Sequence, residues 1–296
     1  MSTVRRAAVA GLFYPSGARA LAELVDRLLV DGMRGNGMQG NGMPGNGMPG
    51  NGMPGNGAEP GGPGAPTAHD TRPLAIIAPH AGYVYSGPIA ATAYGTLARW
   101  RDEITRVVVI GPAHRVAVRG LALSGDDYFT TPLGDVPVDQ ATNRELLNHR
   151  GVYIDDRAHA SEHSIEVHLP FLQRVLPAGW SLVPIVAGGV NATTTADALE
   201  PLWGAPGTLV VVSSDLSHYH DTHTAKRLDA ATAATIVAGR WEELDGERAC
   251  GAVPVRGVLE AVRRHHQTVQ LLDLRNSADT AGSDDRVVGY GSFVVR

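Results

Sequence analysis

The 296-residue chain has an ordinary globular composition, with 43% hydrophobic residues, 19% charged residues and a formal net charge of -5. The negative charge offers no basic field for nucleic acid or anionic lipid, so we exclude both as partners. Its single cysteine, Cys250, excludes an internal disulfide, and no apolar stretch reaches the roughly 18 residues of a membrane-spanning helix. We therefore expect a cytoplasmic protein.

The first predicted element is an amphipathic helix over Ala18–Val30, which is followed by a low-complexity segment. Units of the type GNGMP repeat between Gly35 and Gly57, and the Gly/Pro-rich composition continues to about Pro66. This segment buries too little apolar surface to offset its ordering entropy, so we expect a flexible insert within one domain that spans residues 1–296. Thioethers suit Cu(I), but a spacer is the simpler interpretation of the repeat.

The rest of the chain alternates β-rich runs with segments of helical periodicity. This pattern predicts an α/β fold with a mainly parallel central sheet and helices on both faces. The predicted strands are Leu74–Ala78, Arg106–Ile110, Leu182–Val186, Leu209–Val212, Val269–Leu274 and Val287–Val295. The predicted helices after the insert are Pro88–Arg101, Asp139–Leu147, Ile165–Leu176, Thr194–Leu202, Thr224–Ala238 and Val255–His265. Ligands in such folds bind at the carboxyl ends of the strands, which directs attention to the residues that follow them.

Three histidines lie just after predicted strands. His80 follows the first strand after the insert, His114 follows the second, and His218 follows the fourth, with Asp215 three residues before it. One such histidine is more often a hydrogen-bonded structural residue. Three of them at one sheet edge predict a metal site, because neutral imidazole is the commonest metal ligand near neutral pH.

The remaining candidates are weaker on the sequence alone. His163 and His168 flank Glu166 at the start of a predicted helix, and a lone cysteine such as Cys250 is usually a small buried hydrophobe. The sequence has no Walker loop, no GxSxG elbow, no HExxH and no CxxC pair. No second catalytic motif therefore competes with the histidines.

Seven segments of the chain together resemble those of a known family. They are VAGLFYPS, IIAPHAGYVYSG, GPAHRV, TPLGDVPVD, EHSIEVHLPFLQ, SSDLSHY and CGAVPVRGVL, and they occur in the family's order. The chain is similar in this way to the Memo-like family, whose bacterial members are also called AmmeMemoRadiSam system protein B. The resemblance covers nearly everything outside the repeat. It implies a fold like that of the class III extradiol ring-cleaving dioxygenases, in which a non-haem Fe(II) opens catechols.

The resemblance also implies a set of site residues. The metal ligands would be His80, His114 and Cys250, while His218 would hold the position of the dioxygenases' acid/base histidine, with Asp215 beside it. Those dioxygenases complete the ligand set with a carboxylate, where this chain has a thiol. A thiolate is softer and can itself be oxidised, so the resemblance supports a metal site more strongly than it supports catechol cleavage.

Three functions stay open at this point. The first is a redox enzyme in which Fe(II) or copper acts with oxygen on an unknown small substrate, with Tyr83 and His163 lining the cleft and contacting that substrate. The second is a non-catalytic module that binds a peptide or another small ligand in the same cleft. The third is a zinc-dependent hydrolase, since His and Cys ligands suit zinc equally well. Association into a homo-oligomer also stays open.

Overall fold

The fold is described by a computed structural model over residues 2–35 and 71–296. The repeat from residue 36 onward lies outside these ranges, so the expectation about the insert stays a prediction. The helices within the described ranges are all too short or too polar to cross a membrane.

Twelve strands and eight helices lie in the described residues. The strands are β1 (Val4–Arg5), β2 (Ala75–Ala78), β3 (Arg106–Pro112), β4 (Gly120–Leu123), β5 (Tyr128–Thr131), β6 (Gly134–Pro137), β7 (Val152–Ile154), β8 (Ser181–Gly188), β9 (Thr208–Ser213), β10 (His218–His220), β11 (Val269–Asn276) and β12 (Val287–Val295). The helices are α1 (Ala18–Gly35), α2 (Tyr83–Gly95), α3 (Gln140–Leu146), α4 (Asp156–Ala160), α5 (Leu169–Val175), α6 (Ala192–Leu199), α7 (Thr222–Val237) and α8 (Ala252–Arg264).

A nine-stranded sheet forms the centre of the molecule. Its order is β10-β12-β2-β9-β3-β8-β4-β7, and β11 pairs with β12 beside this path. The four strands β2, β9, β3 and β8 are mutually parallel. Strand β12 pairs antiparallel with β2, β10 and β11, and β4 pairs antiparallel with β8 but parallel with β7. The prediction of a mainly parallel sheet therefore holds for the four central strands, which have an antiparallel pair on either side. Strands β11 and β12 are consecutive, and a short connection allows antiparallel pairing where a parallel pair needs a long crossover.

Helices cover both faces of this sheet, as the sequence predicts. Successive side chains of a strand point to opposite faces, so Val109 and Val211 lie in one apolar cluster while their neighbours Val108 and Val210 lie in another. Helices α1, α2 and α5 contribute to the first cluster, and α6, α7 and α8 contribute to the second. A separate three-stranded sheet contains β1, β5 and β6.

Two predicted helices differ from the observed ones at a proline. Helix α2 begins at Tyr83 and contains Pro88, where the prediction placed its first residue. Proline removes one internal hydrogen bond, but nearly the whole of α2 is buried, and this packing holds the turn before Pro88 in the helix. The predicted helix Ile165–Leu176 is divided into a 3-10 turn and α5, because Pro170 fits the first turn of a helix better than its interior.

Candidate metal centre

The ends of three neighbouring strands define the site. His80, Asp215 and His114 each lie two residues beyond the last residue of β2, β9 and β3 respectively. These three strands are adjacent and parallel, so their carboxyl ends meet at one edge of the sheet. The expectation that distant strand ends bring these side chains to the same edge therefore agrees with the topology.

Three imidazoles converge at this edge. His80, His114 and His163 each offer one nitrogen, and these three atoms lie within 4.8 Å of one another. The ring centroids are 5.1 Å apart for His80 and His114, 5.4 Å for His80 and His163, and 4.7 Å for His114 and His163. Ligands that each stand about 2 Å from one ion are at most about 4 Å apart, so a small side-chain shift suffices for shared binding. The residues present thus fit a metal ion.

His80 is held in one orientation by a buried hydroxyl. Its Nδ1 lies 2.6 Å from Ser213 Oγ, and that hydroxyl donates its own proton to the carbonyl of Ser164 at 2.6 Å. The bond to Ser213 must therefore come from His80 Nδ1–H, which leaves Nε2 with its lone pair. That nitrogen faces Cys250 Sγ at 3.3 Å, so His80 presents a ligand atom and not an N–H to the site.

Cys250 reaches His80 from the segment that leads into α8. The Asp215 amide donates to Cys250 Sγ at 3.3 Å, and the Cys250 amide donates to the Asp215 carbonyl at 3.2 Å. Gly251 makes this approach possible, because a Cβ there would lie 2.4 Å from the Ser213 carbonyl oxygen. The thiol therefore borders His80, although Cys250 is not a member of the three-histidine group.

Asp215 and His218 lie at the same edge. The Asp215 carboxylate accepts the His80 amide at 2.7 Å, and His218, the first residue of β10, makes a 2.8 Å hydrogen bond from Nδ1 to the Leu216 carbonyl. Since a carbonyl can only accept, Nδ1 of His218 carries the proton and Nε2 is free to accept one. The next residue, Tyr219, has a positive φ of 64°, which is strained for a non-glycine residue.

Tyr83 lies within the buried core. It is 3% exposed, and its hydroxyl donates to the Val167 carbonyl at 2.6 Å. Its ring packs against Tyr14 and Phe171 at centroid distances of 5.5 and 4.9 Å. These contacts give Tyr83 a packing role, and its contact with substrate stays a prediction.

Burial controls the charges of the site. It lowers the pKa of His80 well below its usual value, with help from nearby His114, and it lowers the pKa of His163 to about 4. Burial, followed by the charge of Asp215, raises the pKa of the Cys250 thiol far above its usual value. Burial also raises the pKa of Asp215 to about 6. Near neutral pH the metal-free site thus contains neutral His80 and His163 rings and a protonated thiol.

Glu162 is the site residue that sequence reasoning missed. Its carboxylate accepts Nδ1 of His114 at 2.9 Å and lies beside the ring of His163, which immediately follows it in the chain. Burial acts to raise the pKa of Glu162, but the hydrogen bonds from His114 and Ser164 outweigh burial and bring that pKa to about 2. The position of Glu162 directly before a histidine, in the segment EHS, is the sequence feature that could have indicated its role. Ser213, which orients His80, gave no comparable signal.

Comparison with known proteins identifies the family. The family model described as Memo-like protein matches residues 58–294. A MEMO1 family protein of Methanocaldococcus jannaschii is 31% identical, with 100% of both chains covered, and one of Aquifex aeolicus is 31% identical over 97% of both. A third, from Aeropyrum pernix, is 35% identical over 73% of this chain and 81% of its own.

Among solved structures, an uncharacterized protein from Escherichia coli K12 is similar with a TM-score of 0.47 and 12% identity, covering 74% of this chain and 98% of that one. This similarity is too low to support a conclusion about fold or function, so the relation to the extradiol dioxygenases stays a prediction. The sequence relatives and the family model agree with each other along the chain. On that basis the chain belongs to the Memo-like family.

Proposed function

We propose that this protein holds one redox-active metal ion, Fe(II) or copper, and acts as an oxygen-dependent oxidoreductase on a small substrate. The observation that carries the proposal is the convergence of one nitrogen each from His80, His114 and His163 within 4.8 Å. Cys250 Sγ, 3.3 Å from His80 Nε2, is the further candidate ligand that the family resemblance favours.

The set of donor atoms supports a transition metal. Imidazole suits iron, copper and zinc, a thiolate favours copper and iron redox chemistry, and a site made of carboxylate and carbonyl oxygens would instead favour magnesium or calcium. A bound Fe(II) or copper ion would supply one-electron chemistry with oxygen. The burial of His80 keeps its ring neutral near pH 7, so it does not have to lose a proton before it binds a cation.

Two residues at the same edge are suited to support the chemistry. His218 donates Nδ1–H to the Leu216 carbonyl, which leaves Nε2 able to take a proton from a substrate. Asp215 accepts the backbone amide of His80 and shares two backbone contacts with Cys250, so it connects the two. We assign the proton-transfer role to His218 and a positioning role to Asp215.

The test is metal analysis of protein purified without added metals or chelators, beside spectroscopy and oxygen uptake. Wild-type protein should contain about one ion per chain with an absorption or electron paramagnetic resonance signal, and it should consume oxygen when a reductant is present. His80→Ala and His114→Ala should each lose most of the bound metal while the far-ultraviolet circular dichroism stays native. His265→Ala is the control, because His265 lies on the surface, where its ring makes a hydrogen bond with Glu200.

Other results would redirect the proposal in defined ways. Wild-type metal content in both histidine variants would make these residues structural and refute the metal site. A stoichiometric zinc content without a redox signal would favour the hydrolase. A folded protein that never retains metal but binds a small ligand in this cleft would favour the non-catalytic module.

A further inference from the structure

The carboxylate of Glu162 is surrounded by N–H donors. Glu162 is 1% exposed, and its Oε2 accepts the His114 amide at 2.6 Å. Its Oε1 accepts the amides of His163 and Ser164, both at 2.9 Å, and His114 Nδ1 at 2.9 Å. Backbone amides can only donate, so both oxygens already act as acceptors. Glu162 therefore has little capacity left to bind a metal ion itself.

This arrangement fixes which nitrogen of His114 carries the proton. An oxygen that accepts two amides can take a third N–H, and it is then His114 Nδ1 that donates. Nε2 of His114 keeps its lone pair. A carboxylate that accepts the second ring N–H of a metal-binding histidine is a common device for fixing the ring and making the ligand nitrogen more basic.

The same carboxylate is connected to the other two histidines. It accepts the amide of His163, which places that residue's backbone. It also accepts the amide of Ser164, whose carbonyl accepts the Ser213 hydroxyl that in turn accepts His80 Nδ1–H. One buried side chain thus has a hydrogen-bonded connection to all three histidines, through the ring of His114, the backbone of His163 and a two-residue relay to the ring of His80.

We propose that Glu162 is the positioning residue of the metal centre, which fixes the Nδ1–H form of His114 and aligns the three histidines for one ion. The inference rests on the proposed metal site. The competing interpretation is that Glu162 only caps the turn at residues 163–164 and has no influence on the metal.

The test combines Glu162→Gln with nuclear magnetic resonance of the histidine rings in metal-free protein. The glutamine amide has one acceptor oxygen, and its NH2 group must face either the His114 amide or the three donors at Oε1. In wild-type protein we expect His114 in the Nδ1–H form. In the variant we expect both ring forms and a metal affinity about 10- to 100-fold weaker, with native circular dichroism.

Asp139→Asn is the matched control. Asp139 also accepts a backbone amide and a side-chain N–H, from Thr142 and Arg106, but it caps α3 instead of contacting the histidines. This variant should keep both the His114 ring form and the metal affinity of the wild type.

Several results would overturn the inference. A wild-type His114 ring with its proton on Nε2 would do so without any variant, which covers the case in which Glu162→Gln fails to fold. Unchanged metal affinity in a folded Glu162→Gln protein would reduce Glu162 to a turn cap. If wild-type protein binds no metal at all, the proposed function fails, and the ring measurement on metal-free protein still decides whether Glu162 orients His114.

Discussion

Two buried glutamates, four residues apart, are used in different ways. Glu162 and Glu166 are 1% and 0% exposed. The Glu166 carboxylate pairs with the Arg5 guanidinium and accepts the Tyr14 hydroxyl, together with the amides of Ala8 at 2.7 Å and Val9 at 3.0 Å. The donors to Glu162 are instead the ring and amide of His114 and the amides of the next two residues.

The difference shows that partners, and not burial, decide what a buried acid does. The charge of Glu166 is balanced by a buried arginine, and its contacts fasten the N-terminal segment to the body of the protein. The charge of Glu162 lies beside the imidazoles, where it favours a bound cation. Arg5 connects the two regions, because its Nη2 also donates to the Glu162 carbonyl at 2.6 Å.

The largest effect is expected for the stability of the protein when Glu166, which anchors the N-terminal segment, is replaced. Glu166→Ala leaves Arg5 buried without its ionic partner, and we expect a loss of about 3–5 kcal/mol in the free energy of unfolding. Urea denaturation monitored by circular dichroism measures this loss. If the Glu166→Ala protein folds, it should bind metal with the same stoichiometry as the wild type.

An exposed ion pair serves as the control for that experiment. Glu23→Ala removes the surface pair with Arg19 and should change the stability by about 0.5 kcal/mol or less. A Glu166→Ala protein of nearly wild-type stability would show that the buried pair does not anchor the N-terminal segment.

A smaller effect is expected on the pH dependence of metal binding, through the proton of Cys250. The pKa of the buried Cys250 thiol lies far above neutrality, so the thiol is protonated from pH 6 to 8 and must lose one proton to become a thiolate ligand. Apparent metal affinity should therefore contain a component that rises about tenfold per pH unit. Cys250→Ala should bind more weakly and lack that component, as measured by calorimetry in buffers of different ionisation enthalpy.

The pKa values of His80 and His163 are depressed by burial, so these two rings are already neutral over this range and add nothing to the pH slope. Labelling by iodoacetamide gives a second measurement, since bound metal should protect the thiol. Cys250 would be a buried packing residue and not a ligand if metal affinity had the same pH dependence in wild type and Cys250→Ala and if labelling were equal with and without metal.

The smallest effect is expected for Tyr83→Phe. The hydroxyl of Tyr83 donates to the Val167 carbonyl, next to Glu166, so its removal leaves a buried acceptor without this donor. We expect a loss of about 1–2 kcal/mol in stability and unchanged metal affinity. A wild-type stability combined with a raised KM for a substrate would instead support the sequence-based expectation that Tyr83 contacts that substrate.

Part of the candidate metal centre can be predicted from the sequence, and the rest depends on contacts between distant residues. His80 and His114 follow apolar runs that are visible locally, so the sequence predicts both as ligands. His163 was expected to contact substrate, yet its ring nitrogen lies in the three-histidine group. Glu162 had no local feature beyond its neighbour, because its role depends on His114, 48 residues earlier in the chain.

The family, the alternation of strands and helices, and the positions of His80 and His114 at strand ends can all be predicted from the sequence. Short motifs indicate the family, and hydrophobic periods of a few residues indicate the strands and helices, so local sequence displays both. The position of β9 between β2 and β3, and the contact of Cys250 with His80, 170 residues earlier in the chain, are visible in the folded structure alone. Strand order and such contacts arise from packing between distant segments, and no local pattern of residues specifies them.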